Sequence, residues 1–363
     1  MTRAPSEDLV VLREADFRLP KLQEPPGGVL TFENVLILPG GSALYTTTGR
    51  PIPESCLRRG LALEQYPHGK PEPLDQDSLR LASVAERLQR VVYLPYARMA
   101  HFGHLLTEFA GNIGALVEHP QGLNGIGGEH SIVVVPARFH ASIRALADLL
   151  RVPSSRVIST ATQSRPTWAN EVVIPRPSMI NRHGVSRRHF DHVYHVLARL
   201  HGIGPCLPGF LAYSGKGKLY LSRSRLSPGM RKVYEEDLLE RELEGRGWQV
   251  VHPQELTLGK QLELLANSHT IAGCVGSAMH LLMAFGTHIG GRRLIALGED
   301  VEQTNPNIML QAARQGMPFR HVVCLTREPL RGEESLRDQN LRFIKPPIDI
   351  ASCVDALAVG PLD

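Results

Sequence analysis

The chain has 363 residues, of which 42% are hydrophobic and 21% charged, a composition that indicates a folded globular protein and excludes a disordered one. Its 40 Lys and Arg against 36 Asp and Glu give a net charge of +4, too small and too dispersed to indicate nucleic acid as the partner. No apolar run approaches the roughly 18 residues of a membrane span and no secretory signal opens the chain, so we expect a cytoplasmic protein.

The length of the whole chain suggests two domains with a cleft between them. The first half is predicted to form an α/β domain. Residues 1–28 are predicted to form an extended lead-in and residues 29–205 an N-terminal acceptor-side domain. Short runs rich in β-branched residues alternate with amphipathic stretches, which favours a largely parallel sheet. We expect strands at 35–38, 91–94, 132–135 and 172–174, and helices at 105–117 and 142–150. A basic cluster beside a further helical pattern is expected to be a solvated helix face: Arg182, Arg187 and Arg188.

A segment crowded with Gly and Pro at residues 201–217 marks the predicted domain boundary. Beyond it, residues 206–363 alternate regularly between strand and helix, as a Rossmann-like domain does. The predicted strands are 219–222, 249–251, 270–272 and 294–296, and the predicted helices are 234–246, 259–267 and 278–285. A final helix at 350–359 is compatible with packing on either domain. The five cysteines are widely separated and are predicted to be buried thiols: Cys56, Cys206, Cys274, Cys324 and Cys353.

The turn at residues 273–278 joins a predicted strand to a predicted helix. Ligands of open α/β sheets bind beyond the carboxyl ends of strands, where free amides and the helix dipole attract phosphate. We therefore place Gly276 and Ser277, followed by Ala278, against a diphosphate. Tight packing is an alternative reason for small residues here, and the dinucleotide fingerprint G-x-G-x-x-G is absent from the chain.

The strand at 219–222 ends in a cluster of hydroxyl and guanidinium groups that includes Ser222 and Arg223. An arginine at this edge can hold a diphosphate by two parallel hydrogen bonds, which stabilises a departing nucleotide without a metal. A surface arginine at a strand end is the alternative. Residues 214–218 come before their strand, whereas a phosphate-binding loop follows its strand, and they lack the spacing of that motif.

In the first half, His101, His104 and Glu108 share one face if their segment is helical. A carboxylate beside an imidazole can remove a proton from an acceptor hydroxyl. Two alternatives stay open: a metal site, for which no further ligand is evident, and buried structural histidines.

Three segments, in order, resemble glycosyltransferase family 61: HFGHLLTE from residue 101, LYLSRS from residue 219, and EEDLLERELEGRGWQVVHPQELTLGKQLELLANSHTIAGCVGSAMHLLMAF from residue 235. This family includes bacterial capsular-polysaccharide transferases. The resemblance implies two Rossmann-like domains facing a cleft in a GT-B fold, a nucleotide-sugar donor that is expected to be UDP-linked, and inversion at the anomeric carbon. It implies no cofactor and no metal. The acceptor is expected to be a glycan or another hydroxyl, in capsule or exopolysaccharide synthesis, and a homodimer is left open.

The resemblance also implies roles for individual residues. Arg223 and the Gly276–Ser277 turn would contact the donor diphosphate, Glu236 would lie near the nucleotide, and Glu108 would be the general base with His104 beside it. Many members of the family have His immediately before the glycine of the turn, where this chain has Val275. His280 follows shortly after, either as a substitute or as a packing residue. Two competing functions are a nucleotide-sugar-binding protein without catalysis and a GT-B transferase with another donor class.

Overall fold

The computed structural model describes residues 28–56, 70–82, 85–95, 102–118, 123–124, 130–137, 142–180, 182–202, 217–226, 233–287, 289, 291–299, 306–326, 342–344 and 347–359. The described residues form two compact units. The first draws on residues 20–207 and 280–288, and the second on residues 208–279 and 289–363. The predicted lead-in, apart from Gly28, and most of the predicted boundary segment lie outside the described residues.

The first unit contains a mixed sheet of seven strands in the order β3-β2-β1-β7-β4-β5-β6. The four strands from β7 to β6 are parallel, whereas β1 pairs antiparallel with both β2 and β7. The prediction of a largely parallel sheet is therefore right for only part of this unit. The strands are β1 (Val29–Ile37), β2 (Leu44–Tyr45), β3 (Pro51–Ile52), β4 (Glu86–Tyr93), β5 (Ile132–Val135), β6 (Val157–Ser159) and β7 (Thr167–Pro175).

A hairpin of β8 (Met179–Ile180) and β9 (Gly184–Val185) follows the sheet, and four helices complete the described part of the first unit. The helices are α1 (Gln76–Ala82), α2, α3 (Ile143–Leu150) and α4 (Arg187–His201). Helix α2 is composite: an α-helical turn Phe102–His104, a π-helical segment Leu105–Phe109 and an α-helix Ala110–Glu118. All three arginines of the predicted basic helix face are exposed, but only Arg187 and Arg188 lie on the helix, and Arg182 lies in the turn between β8 and β9.

The second unit contains a five-stranded sheet that is parallel throughout, in the order β12-β10-β13-β14-β15. Its three central strands are short and mostly buried, as expected when both faces of a parallel sheet are covered, whereas the two edge strands are more exposed. They are β10 (Gly217–Leu221), β12 (Gln249–Val251), β13 (Ser268–Cys274), β14 (Arg293–Gly298) and β15 (Phe319–Val323). A separate three-stranded sheet contains β11 (Val233–Tyr234), β16 (Leu325–Thr326) and β17 (Arg342–Ile344).

Four α-helices are described in the second unit: α5 (Glu236–Gly245), α6 (Leu258–Ala266), α7 (Asn307–Gln315) and α8 (Pro347–Val359). The α-helix predicted at 278–285 is instead a 3₁₀-helix, Ser277–Phe285. Its first three residues belong to the second unit and the rest to the first. No helix in the described ranges combines the length and apolarity that a bilayer crossing requires.

Helix α8 packs within the second unit. It contributes Ile350 and Val354 to the hydrophobic core beside β10, β13 and β14. Asp355 anchors it, accepting hydrogen bonds from Lys218 Nζ at 2.7 Å and Trp248 Nε1 at 3.1 Å. Of the two placements that the sequence left open, the helix takes the one on its own domain.

Candidate active site

The second sheet has a topological switch point between β10 and β13. From β10 the chain moves outward to β12, then returns to the opposite side of β10 and continues through β13, β14 and β15. Numbered along the chain, this is the doubly wound order 2-1-3-4-5, which binds ligands in the crevice beyond the carboxyl ends of strands 1 and 3. Ser222 and Arg223 follow β10, and Val275 and Gly276 follow β13. Three of the predicted donor residues, Ser222, Arg223 and Gly276, therefore lie at the ends of the two strands between which ligands of this fold bind.

Arg223 links the two strand ends. Its Nη1 donates a hydrogen bond of 2.9 Å to the carbonyl oxygen of Val275. The guanidinium lies directly over Gly276, where an added Cβ would be 2.5 Å from Nη1 and 3.3 Å from Cζ. A side chain at this position would displace the guanidinium, so glycine allows the positive charge to lie against the turn.

Ser277 and Ala278 begin the 3₁₀-helix, whose first internal bond runs from Met279 N to Gly276 O at 3.2 Å. Amides ahead of that bond lie at a helix N-terminus, which favours anions. The Ser222 side chain is buried, and its hydroxyl donates to Glu240 and accepts from Ser224 N. Ser222 thus shapes the turn that carries Arg223, while Ser277 and Ala278 are partly exposed.

Glu236 is fully buried at the start of α5. Its carboxylate accepts hydrogen bonds from the Tyr220 hydroxyl at 2.8 Å, the Arg223 amide at 3.0 Å and the Cys274 thiol at 3.5 Å. Burial raises the pKa of Glu236 to about 7, against the opposing effect of the bonds from Tyr220 and Arg223. Through these hydrogen bonds, Glu236 connects the ends of β10 and β13 to the start of α5. Burial also raises the pKa of the Cys274 thiol, which is one of the predicted buried thiols.

In the first unit, the side chains of His104 and Glu108 form a hydrogen bond between Nδ1 and Oε2. Glu108 lies in the π-helical segment of α2 and is 3% exposed, whereas 25% of the His104 side chain is exposed. Asn112 Nδ2 donates 2.7 Å to the main-chain oxygen of Glu108, and Thr107 Oγ1 donates 2.8 Å to Gly103 O. Side chains thus satisfy carbonyls around the π-helical segment, an irregularity that is frequent at functional sites.

The two other histidines singled out in the sequence, His101 and His280, have different outcomes. His101 lies outside the described residues. His280 is 8% exposed and is grouped with the first unit, where it contributes to lowering the pKa of His189. These surroundings favour the packing alternative for His280. Within the described residues, no group of three or more His, Cys, Asp or Glu is arranged to hold a metal ion.

Several residues of the site carry no clear sequence signal. Glu240 holds Ser222, and the contribution of Val275 is its main-chain carbonyl, which no side-chain pattern reveals. Ser178 and two buried histidines of α4, His189 and His192, form a network that adjoins α2. His189 and His192 lie 11 and 14 residues after Ser178 in the sequence, so only the fold brings the three side chains together.

The parallel doubly wound sheet places the second unit in the class of open α/β folds, whose ligands bind at the switch point. The family Glycosyltransferase 61 matches residues 102–289, which is more than half of the chain and includes the His104–Glu108 pair and the switch point. The chain therefore belongs to glycosyltransferase family 61. A search of curated proteins found no match. Membership implies a glycosyltransferase with donor and acceptor substrates.

Proposed function

We propose that this protein is an inverting glycosyltransferase that moves a sugar from a UDP-linked nucleotide-sugar donor to a glycan hydroxyl, without a metal. The observation that carries the proposal is the Arg223 guanidinium, held over Gly276 at the switch point of the second sheet. This arrangement suits a diphosphate leaving group, because an arginine can bind two phosphate oxygens in parallel. We further propose that the chain is a GT-B enzyme.

The leaving group is stabilised at the second-unit edge. As the bond between the sugar C1 and the diphosphate oxygen breaks, negative charge grows on the diphosphate. Arg223 and the helix N-terminus at Ser277 then bind that charge more strongly than in the ground state. Loss of the Arg223 guanidinium is expected to lower turnover by on the order of 10²-fold, the typical effect of removing one such donor.

The attacking hydroxyl loses its proton to the His104–Glu108 pair. The resemblance assigns the base to Glu108, but the burial of this carboxylate leads us to assign the role to the pair. The more exposed His104 imidazole takes the proton, and Glu108 behind it stabilises the imidazolium and fixes the orientation of the ring. Attack from the face opposite the diphosphate inverts the anomeric carbon.

We also propose a glycan acceptor in capsule or exopolysaccharide synthesis and a cytoplasmic location, in line with the resemblance and the sequence. The acceptor is best identified after the donor, because donor binding and hydrolysis need no acceptor.

The test is a thermal-shift screen of the purified protein against UDP, GDP, CMP and ADP and their sugar conjugates, with and without EDTA. We expect UDP compounds to raise the melting temperature, EDTA to have no effect, and Arg223→Ala to abolish the shift. Arg223→Lys is the matched variant, since it keeps the charge and loses the paired geometry.

Release of free nucleotide diphosphate from the stabilising sugar conjugate then separates an enzyme from a binding protein. Stabilisation without any release would identify a nucleotide-sugar-binding protein. Stabilisation by another nucleotide would reassign the donor class. No stabilisation by any nucleotide would contradict the donor site itself.

A further inference from the structure

A buried network of three polar side chains lies behind helix α2 in the first unit. The Ser178 hydroxyl oxygen is 3.0 Å from His189 Nδ1 and 2.9 Å from His192 Nδ1. Ser178 is 3% exposed, His189 is 0% exposed and His192 is 5% exposed. Three buried polar groups are costly to leave unsatisfied, so the arrangement of their protons is constrained.

The serine hydroxyl has one proton, which it can donate to only one of the two imidazoles. At least one histidine must therefore donate its own Nδ1 proton to the Ser178 oxygen. Burial lowers the pKa of His189 to about 3, with the neighbouring imidazoles of His192 and His280 adding to the effect and the Leu106 carbonyl opposing it. His189 is thus neutral, and its hydrogen bond with Ser178 joins two neutral groups.

The network is joined to α2 just beyond the π-helical segment. The Ser178 amide donates 3.1 Å to the carbonyl of Gly111, and the Ser178 hydroxyl lies 3.4 Å from the same oxygen. The Ser178–His189 pair therefore contacts α2 at Gly111, three residues after Glu108.

Gly114 of α2 makes this approach possible. A Cβ added at Gly114 would lie 2.1 Å from Cγ of His192, which no side chain tolerates. A Cβ added at Gly111 would lie 3.3 Å from Met179 N and 3.5 Å from the His189 ring, where it is in ordinary contact. The His192 ring therefore occupies the space that a side chain at Gly114 would fill, and it fixes how α2 lies against α4.

We propose that Ser178 and His189 are positioning residues that hold the π-helical segment of α2 and thereby the orientation of Glu108 toward His104. The inference rests on the proposed function for its catalytic consequence, but its structural part concerns only the first unit. Neither residue contacts the substrates. Their effect reaches the reaction through the geometry of the base.

The test compares His189→Phe, which fills the site but removes both ring nitrogens, with His189→Asn, which keeps a polar atom facing Ser178. His195→Phe is the matched control, because His195 lies on the same helix, is partly exposed and contacts the Tyr194 ring. Amide hydrogen exchange is measured over residues 102–118 in all three. We expect His189→Phe to speed exchange in residues 105–112 by at least about tenfold, His189→Asn by less, and His195→Phe not at all.

The catalytic arm measures turnover against pH at saturating donor. His189→Phe is expected to lower kcat by about tenfold or more and to move the acid limb of the pH profile, with donor KM within about twofold of wild type. His189→Asn should recover part of kcat. Urea unfolding and the donor-induced thermal shift show whether each variant is folded.

Unchanged exchange in residues 105–112 of a folded His189→Phe would overturn the inference, whatever the activity. Faster exchange with an unaltered kcat and pH profile would overturn its catalytic part. If the wild type itself shows no transfer while exchange changes as expected, the proposed function fails and the positioning of the π-helical segment stands.

Discussion

Substitution of Gly276 by alanine tests the switch-point site most directly. The new Cβ would lie 2.5 Å from Arg223 Nη1, whereas an ordinary contact needs at least 3.4 Å, so the guanidinium must move by about 1 Å. The movement is sterically cheap, because the obstructing atom is the end of a long side chain. It nevertheless breaks the 2.9 Å bond to the Val275 carbonyl and displaces the charge from its place over the turn. A misplacement of this size typically costs about 10²-fold in rate.

We therefore expect Gly276→Ala to lower kcat by about 10²-fold while changing the free energy of unfolding by less than about 1.5 kcal/mol. The assay is release of nucleotide diphosphate at saturating donor, with urea unfolding alongside. Gly259→Ala is the control, since a Cβ there meets nothing within 4 Å. Wild-type kcat in a correctly folded Gly276→Ala protein would refute the placement of Arg223 as the leaving-group residue.

Three further substitutions test other parts of the molecule. Because the pKa of Glu236 is raised from 4.5 to about 7 in the folded protein, the folded state holds a proton that the unfolded state has lost between these pH values. The free energy of unfolding of the wild type should therefore fall by about 3 kcal/mol relative to Glu236→Gln as pH rises from 4.5 to 7, and then level off. Urea titrations of both proteins at several pH values measure this fall. A difference in unfolding free energy that does not change with pH would contradict the prediction. Glu108→Gln should lower kcat by about 10²-fold without weakening the donor-induced thermal shift, so a loss of donor binding would argue against its role in the base. Gly273→Ala, whose Cβ would meet the Leu221 carbonyl oxygen at 2.7 Å, should cost about 1–3 kcal/mol in urea unfolding, because backbone cannot move aside as a side chain can.

The second sheet could be predicted from the sequence because each of its central strands is a short apolar run. Strands β10, β13 and β14 are buried over most of their length, so they are visible without tertiary information. Strand β1 is different. Its first six residues are exposed or partly exposed and only the last three are buried, so the sequence pattern marks its end alone. Its antiparallel pairing with β7 runs along nearly the whole length of both strands, and no local sequence pattern indicates it.

The candidate site likewise contains residues that can be predicted from the sequence and residues that cannot. Arg223 and Gly276 are predictable because each follows a recognisable strand, and the topology of a parallel sheet brings such positions together. The burial of Glu236 is not predictable, because an acidic residue in the first turn of a helix usually faces solvent and stabilises the helix dipole. The π-helical segment at Leu105–Phe109 is likewise invisible to a pattern that assumes 3.6 residues per turn.

The replacement of a common family histidine by Val275 can now be judged by what this position does in the chain. Both of its main-chain groups are used: its amide donates 2.8 Å to Leu297 O, and its carbonyl accepts from Arg223. Any amino acid other than proline supplies both groups, so the replacement leaves the anchor of Arg223 intact. The geometry on which the proposed donor site rests therefore depends on Gly276 and Arg223, and both are present in this chain.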